Sequence, residues 1–383
     1  MGNTRPRILV AGGGIGGLTA AIALKQRGYN VEVVERAPEL RPVGAGLTVQ
    51  VNAMKAYARL GLAEKVIAAG HVPTRGAILA ADGTVLSRLD VAGQMKEFGQ
   101  PSVAVHRAEL QRVLLEALQG VAMQLGVGVA SFTQDADGVT VTLTDGSTRA
   151  ADVLIGADGI HSAVRAQMHG NTPPDYAGYT CWRAVSPNDG TLPPDEGSET
   201  WGEGSRFGIV PIAKDRIYWF AVADAPPGGK DGPNVKAELL ARFGGWHPAV
   251  RTVIEGAPAE AIFRSDISDR PVIHPWGKGR VTLLGDAAHP MTPNLGQGAC
   301  MAIEDAVVLA ATLDEKSDPA EALRLYEERR RERTAAVVTT ARRVGQVGQW
   351  SNPVARALRD TMLRATPDFV TERQVGWLYA FDA

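Results

Sequence analysis

ILVAGGGIGGLTAAIALKQRGYNVEVVER, Ile8 to Arg36, is the stretch that decides the fold. An apolar strand, Ile8-Leu9-Val10, runs into Gly12-Gly13-Gly14-Ile15-Gly16-Gly17. These glycines open an Ala/Leu-rich helix, and a second strand, Val31 to Val34, ends on Glu35. Gly12 permits the tight turn, Gly14 lets backbone approach a pyrophosphate, and Gly17 lets the helix pack closely on the strand. The free amides and positive dipole end of a helix starting near Ile15 and Gly16 suit phosphate charge. Glu35, on the order of 20 residues after the glycines, is placed to accept a hydrogen bond from a ribose hydroxyl. Strand, glycines, helix, strand and acid in this order read as a dinucleotide site, with NAD, NADP and FAD still open.

Working outward, 383 residues suggest about two domains, and 45% hydrophobic with 21% charged residues is an ordinary globular balance. A net charge of −2, with no basic patch interleaved with aromatics, argues against a nucleic-acid partner. Cys181 and Cys300 lie far apart with no metal-ligand spacing around them, so both are expected to be reduced packing residues and no metal is expected. No stretch reads as a membrane span, and a cytoplasmic protein is expected.

Along the chain, Arg41 to Gly46 reads as a loop, and Asn52 as the N-cap of a helix reaching about Leu60. Ala77 to Asp90 reads as a hairpin around Asp82-Gly83, and Arg107 to Leu118 as a helix. A meander with turns at Asp137-Gly138 and Asp145-Gly146 leads to the strand Val153-Leu154-Ile155 and the turn Gly156-Ala157-Asp158-Gly159. From about Pro173 to Pro275, dense Pro and Gly with short strands suggest an inserted sheet-rich domain. Gly279 to Asp286 then returns to a buried parallel strand. Helices are predicted over Gln297 to Leu313 and Pro319 to Gln349, where the charge run Glu327 to Arg333 reads as a solvated face. The expected class is α/β: a Rossmann-like domain (1–73, 98–172 and 276–349), an inserted, mainly antiparallel β-sheet substrate domain (74–97 and 173–275) and a C-terminal helical tail (350–383).

The glycine turn, Ala157-Asp158-Gly159 and Gly285-Asp286 each follow a predicted parallel strand. They therefore share its carboxyl edge, where open α/β folds bind ligands. Beyond Asp286 lies the Pro/Gly-rich loop AAHPMTPNLGQG, Ala287 to Gly298. With Val105-His106-Arg107-Ala108-Glu109-Leu110 and Gly156 to Ser162, this ordered set resembles the FAD-dependent aromatic hydroxylases, the single-component flavoprotein monooxygenases, over nearly the whole chain. The nearest likeness within them is to urate hydroxylases and zeaxanthin epoxidases, in Tyr176-Ala177-Gly178-Tyr179 and Trp276 to Asp286.

The resemblance implies FAD as the resident cofactor, held by Gly12, Gly14, Ile15, Gly16, Gly17, Glu35, Arg36, Gly46, Arg107, Val129, Asp158, Asp286, Gly296, Gln297 and Gly298. Glu35 should hold the adenosine ribose, Arg107 should reach the pyrophosphate and flavin side, and Asp286 should bond a ribityl hydroxyl. The amides of Gly296 to Gly298 should meet the flavin pyrimidine edge. Asp158 is also read as a turn carboxylate capping the next helix. With one dinucleotide fingerprint present, NAD(P)H would bind transiently. The implied chemistry is hydride transfer to flavin, reaction with O2 to a C4a-hydroperoxide, and oxygen delivery to a small electron-rich substrate by a monomer or homodimer.

Arg206 and Tyr218 fall where the urate enzyme places a substrate-polarising arginine and a tyrosine, and with Pro293 and Asn294 they are the candidate substrate-site residues. The urate enzyme has an aspartate where this chain has Asn294, and an amide cannot act as a general base. An aromatic or N-heteroaromatic substrate is the first expectation. Alkene epoxidation and a flavin-bound redox sensor are the alternatives. His289 is expected to be held within its loop rather than to act as a base.

Overall fold

A computed structural model describes residues 5–40, 45–367, 370 and 376–382; residues 41–44 of the expected Arg41–Gly46 loop and part of the tail lie outside the described residues. The opening stretch forms strand Arg7–Ala11, helix Ile15–Gln26 and strand Asn30–Glu35. These belong to a five-stranded parallel sheet in the order Val281–Leu283, Val153–Gly156, Arg7–Ala11, Asn30–Glu35, Ala122–Leu125. Val153–Gly156 and Val281–Leu283 are buried throughout, as strands covered on both faces must be. Helix Ile15–Gln26 packs against helix Gly298–Glu315, and both are buried on nearly every side, which explains their lack of a polar face. The meander forms a separate three-stranded antiparallel sheet containing Val129–Gln134.

A second, seven-stranded sheet runs Phe263–Asp269, Asp175–Pro187, Arg216–Asp224, Ser205–Ala213, Glu196–Trp201, Arg75–Ala80, Val85–Asp90. It is antiparallel except where Glu196–Trp201 pairs with Arg75–Ala80. Strand alternation gives this sheet two different faces. Trp182, Phe207 and Trp219 point to one side and pack with Phe243, Val250 and Ile254 from two short helices. Phe207 stacks on Trp219 at 5.4 Å. Cys181, Arg183, Arg206, Tyr218, Phe220 and Val222 occupy the alternate positions and line a cleft against the first sheet's loops.

Two local expectations fail. Asn52 is not a cap: helix Val51–Arg59 starts after Gln50, and Asn52 is fully buried, donating to Gln297 Oε1 at 2.9 Å and Glu304 Oε1 at 2.6 Å. The Glu327–Arg333 run is a solvated face only at Glu328, Arg329 and Glu332. Within helix Pro319–Gly348, Glu327 and Arg330 are each 1% exposed. Glu327 accepts from Trp276 N at 3.0 Å and Thr282 Oγ1 at 2.7 Å, which fastens the helix to the end strand of the parallel sheet. Arg330 reaches Asp305 Oδ1 at 2.7 Å and Glu304 Oε2 at 2.6 Å. Buried carboxylates at 304 and 305 need a cation, and Arg330 supplies it.

Candidate active site

Gly12 has φ +115°, and a Cβ on it would lie 2.3 Å from the Ala157 carbonyl oxygen, so the turn requires glycine. A Cβ on Gly17 would come within 2.0 Å of the Gly12 oxygen, which is the close helix packing expected of that position. Among the described residues, nothing stands within 4 Å of the place a Gly14 Cβ would take. Glu35 grips the same loop: Oε2 accepts from Gly13 N at 2.6 Å and Oε1 from Ala37 N at 2.9 Å. Each oxygen keeps a second lone pair for a ligand hydroxyl. A cavity of about 580 Å³ opens beside Gly13, Gly14, Glu35 and Arg107. A larger cleft of about 920 Å³ begins at Gly14, Ile15 and Gly16, passes Arg107 and Asp286, and ends on the seven-stranded sheet. Arg36 is exposed and Val129 is buried in the core, and neither side chain lines these cavities.

Of the two readings of Asp158, the helix cap is visible: Oδ2 accepts from Ala163 N at 2.8 Å at the start of helix Ala163–His169. Its Oδ1 is buried without a partner among the described residues, and burial pushes the carboxyl up from its ordinary pKa. Asp286 reaches the open cleft yet is hemmed in by protein. Burial pushes its carboxyl up, against the opposing pull of His289 and Arg107. His289 is held in its loop as expected. Its Nε2 lies 2.6 Å from Asp305 Oδ2, its backbone N donates to Gly285 O at 2.9 Å, and Trp276 flanks the ring at 5.3 Å. Burial alone would raise the Asp305 carboxyl, but His289 and Arg330 hold it down at about 2.

Gly296 (φ +63°) and Gly298 line the cleft, whereas the Gln297 side chain turns inward. Gln297 Nε2 donates to Gln50 Oε1 at 2.7 Å, and Gln50 Nε2 in turn donates to Leu295 O at 2.8 Å. A buried polar chain therefore runs Arg330, Glu304, Asn52, Gln297, Gln50 and back to the loop backbone.

Arg206 and Asn294, far apart in sequence, meet where the cleft ends on the seven-stranded sheet. Arg206, 2% exposed, donates to Asn294 Oδ1 at 2.5 Å, Glu199 Oε1 at 3.0 Å and Gln349 Oε1 at 2.8 Å. Asn294 Nδ2 donates to the Tyr179 hydroxyl, Thr292 Oγ1 and Ala341 O, each at 2.9 Å. The end of the long helix is cut back to admit them. A Cβ on Gly345 would lie 2.2 Å from Asn294 Nδ2, and one on Gly348 would lie 2.8 Å from Arg206 Cδ. Pro293 faces the cleft. Tyr218 also lines it, packed so tightly under Gly46 that a Cβ there would lie 2.5 Å from Tyr218 Cβ. Burial pushes its phenol well up, with Arg183 opposing.

Sequence reading missed Arg183, Glu199, Tyr179, Phe220 and Gln349 around this wall. Alternation along strands Asp175–Pro187 and Arg216–Asp224 is the signal that places Tyr179 and Arg183 with Tyr218 and Phe220. Gly208 seats the Phe220 ring, since a Cβ there would lie 2.0 Å from Phe220 Cε1. Gly208→Ala should drive that ring into the cleft and weaken substrate binding by about 10-fold, at about 1.4 kcal/mol per decade, with FAD retention unchanged. A titration giving the parental Kd would show that Phe220 has room to move elsewhere.

The family described as "FAD binding domain" matches residues 5–341. Aurachin C monooxygenase/isomerase of Stigmatella aurantiaca is 46% identical over 357 residues, covering 93% of each chain. The FAD-dependent urate hydroxylase of Klebsiella pneumoniae is 39% identical over 341 residues, 88% of this chain and 89% of that protein. The crystal structure of Klebsiella pneumoniae HpxO with FAD and uric acid superposes with TM-score 0.90 at 35% identity, covering 97% of this chain and 95% of that one. Matches of this extent carry the glycine turn, the carboxyl-edge loops and the cleft-facing sheet together, and the chain belongs to the FAD-dependent monooxygenases built on this FAD-binding domain.

Proposed function

We propose that this chain uses NAD(P)H and O2 to hydroxylate a small aromatic or N-heteroaromatic substrate bound between the Pro293–Asn294 loop and the seven-stranded sheet. The observation that carries the reading is the adjacency of two spaces. The cavity beside Glu35 and the larger cleft share the lining residues Gly14 and Arg107, so together they extend from Glu35 to the Arg206 and Tyr218 wall. That form suits FAD, whose ADP half would lie along Gly12, Gly14 and Glu35 and whose ring system would lie near Asp286, Gly296 and Gly298. Gly46 and Arg107 border the same path, with Gln297 acting through its backbone.

FAD supplies hydride acceptance and the activation of O2 for transfer of one oxygen atom. The chain's residues orient the substrate and exclude water. Phe220, Val210, Val222 and Met291 give the cleft apolar walls, which strengthen each polar contact made inside it. Asn294 is fixed by four neighbours and serves as an orienting amide rather than a base. The first-turn amides of helix Gly298–Glu315 offer donors to negative charge developing on the ring edge, whereas the Gly296 amide is spent on Pro293 O at 2.9 Å.

The direct test is substrate-stimulated NAD(P)H oxidation with matching oxygen uptake, across a panel of phenols, hydroxybenzoates, hydroxyquinolines and purines. Purified yellow protein should respond to at least one member and release a hydroxylated product. A protein that holds FAD and responds to none of them would support the redox-sensor reading instead.

A further inference from the structure

We infer that Arg183 is the anchor for a negatively charged oxygen substituent on the substrate ring. This assignment rests on the proposed aromatic-monooxygenase reading and deepens it. Five charged side chains line the larger cleft among the described residues: Arg107, Arg183, Glu199, Arg206 and Asp286. At the sheet end of the cleft Glu199 lies 3.0 Å from Arg206, whereas Arg107 and Asp286 lie along the path from Gly14. Arg183 is left over, with no carboxylate in ion-pair reach among the described residues.

Its surroundings are polar and uncharged. Arg183 donates to Ser265 Oγ at 2.6 Å and also contacts the Tyr218 hydroxyl. Its other ionisable neighbours are Cys181 and Tyr179, and Cys181 is a buried free thiol that burial keeps protonated. A guanidinium has five N–H donors in a rigid fork, and Ser265 and Tyr218 occupy only part of it. The fork is half-buried at the cleft wall and keeps N–H donors for a ligand, and a planar carboxylate or ring oxyanion matches it.

Arg206 does not compete for this role. Its three nitrogens are engaged by Gln349, Glu199 and Asn294, and its charge is neutralised by Glu199. The substrate wall thus carries one free positive charge, beside two aromatic rings, Tyr218 and Phe220, whose centroids lie 6.0 Å apart. The ligand class that fits is an aromatic ring bearing either a carboxylate or an ionised hydroxyl.

Calorimetric titration of the FAD-loaded enzyme distinguishes the two sources. 4-Hydroxybenzoate is compared with 4-hydroxybenzamide, and 4-nitrophenolate with 4-nitroanisole at alkaline pH. In at least one pair the anion should bind about 10–100-fold more tightly than its neutral partner, the range of a charge-assisted contact. That preference should vanish in Arg183→Gln and return in part in Arg183→Lys, with FAD content unchanged. If Arg183→Gln loses FAD, Tyr218→Phe should still reduce the anion preference. Equal or undetectable binding of anions in the parental enzyme overturns the assignment, as does a preference that survives Arg183→Gln. Coupled oxygen uptake on neutral rings without anion preference would sink the anchor alone. An Arg183-dependent anion preference with no oxygen uptake on any panel member would sink the monooxygenase reading alone.

Discussion

Arg330→Met is expected to lower unfolding stability by about 3–5 kcal/mol, the cost of stranding buried charge. Arg330 is 1% exposed and bonds two carboxylates, Glu304 and Asp305, that are themselves fully buried. Methionine fills similar space but leaves Asp305 with His289 and the Gly285 amide, and Glu304 with Arg333 and Asn52. The effect should also reach the cofactor loop, because Glu304 leads through Asn52 and Gln297 to the Leu295 carbonyl by way of Gln50. Urea titration of the FAD-saturated protein reads the first effect, and FAD dissociation on dilution reads the second. A change under about 1 kcal/mol would show that Arg333 takes over the pairing. Arg330→Lys should recover only part of the loss, since an ammonium cannot span both acids in one plane.

Asp286→Ala should raise the Kd for FAD by about 10–100-fold, the range for a hydrogen bond to a charged acceptor, with near-parental stability of the FAD-free protein. The carboxylate faces the larger cleft with no hydrogen-bond partner of its own among the described contacts, and it feels the charges of His289 and Arg107. It is therefore free to accept from a cofactor hydroxyl. Asp286→Asn keeps the shape and one acceptor and should fall between the two. Equilibrium dialysis of the three proteins settles the order, and full flavin occupancy in the alanine variant at sub-micromolar protein would remove Asp286 from the cofactor site.

The parallel sheet and its three edge loops were legible because each carries a local signal: a short apolar run, then glycine or Asp-Gly where the strand ends. The charge run shows the opposite case. Glu327 to Arg333 alternates signs at i, i+4 spacing and so reads as solvated, yet Leu323, Tyr326, Arg330, Thr334, Val337 and Ala341 occupy one buried stripe. Arg330 stands where the helical phase demands an apolar residue. That phase was present in the sequence, but the partners Glu304 and Asp305 sit on another helix that only the fold brings near. Likewise Arg206 and Tyr218 were found through resemblance, whereas Glu199 and Gln349 depend on strand register and on the end of the long helix. Asn52 was misread for a related reason: its amide fits a cap, but buried acceptors on helix Gly298–Glu315 and the adjoining loop outcompete the helix start.

Helix Pro319–Gly348, 30 residues and so about 45 Å long, ties the two sheets with a single rod. Near its first third Glu327 and Arg330 hold the parallel sheet's end strand and the acids under the cofactor loop. Near its far end Ala341 accepts from Asn294, and Gly345 and Gly348 leave gaps that Asn294 and Arg206 fill. Bulges into grooves of this kind resist sliding and twisting as a key resists turning in the wrong lock. Any opening of the cleft then falls to its rim, to the Pro293 loop or to side chains such as Phe220, while the helix holds the span between the Asn294 loop and the parallel sheet. A fixed span would keep the reacting atoms in register through each turnover and makes the two glycines of the last helical turn part of the distance gauge.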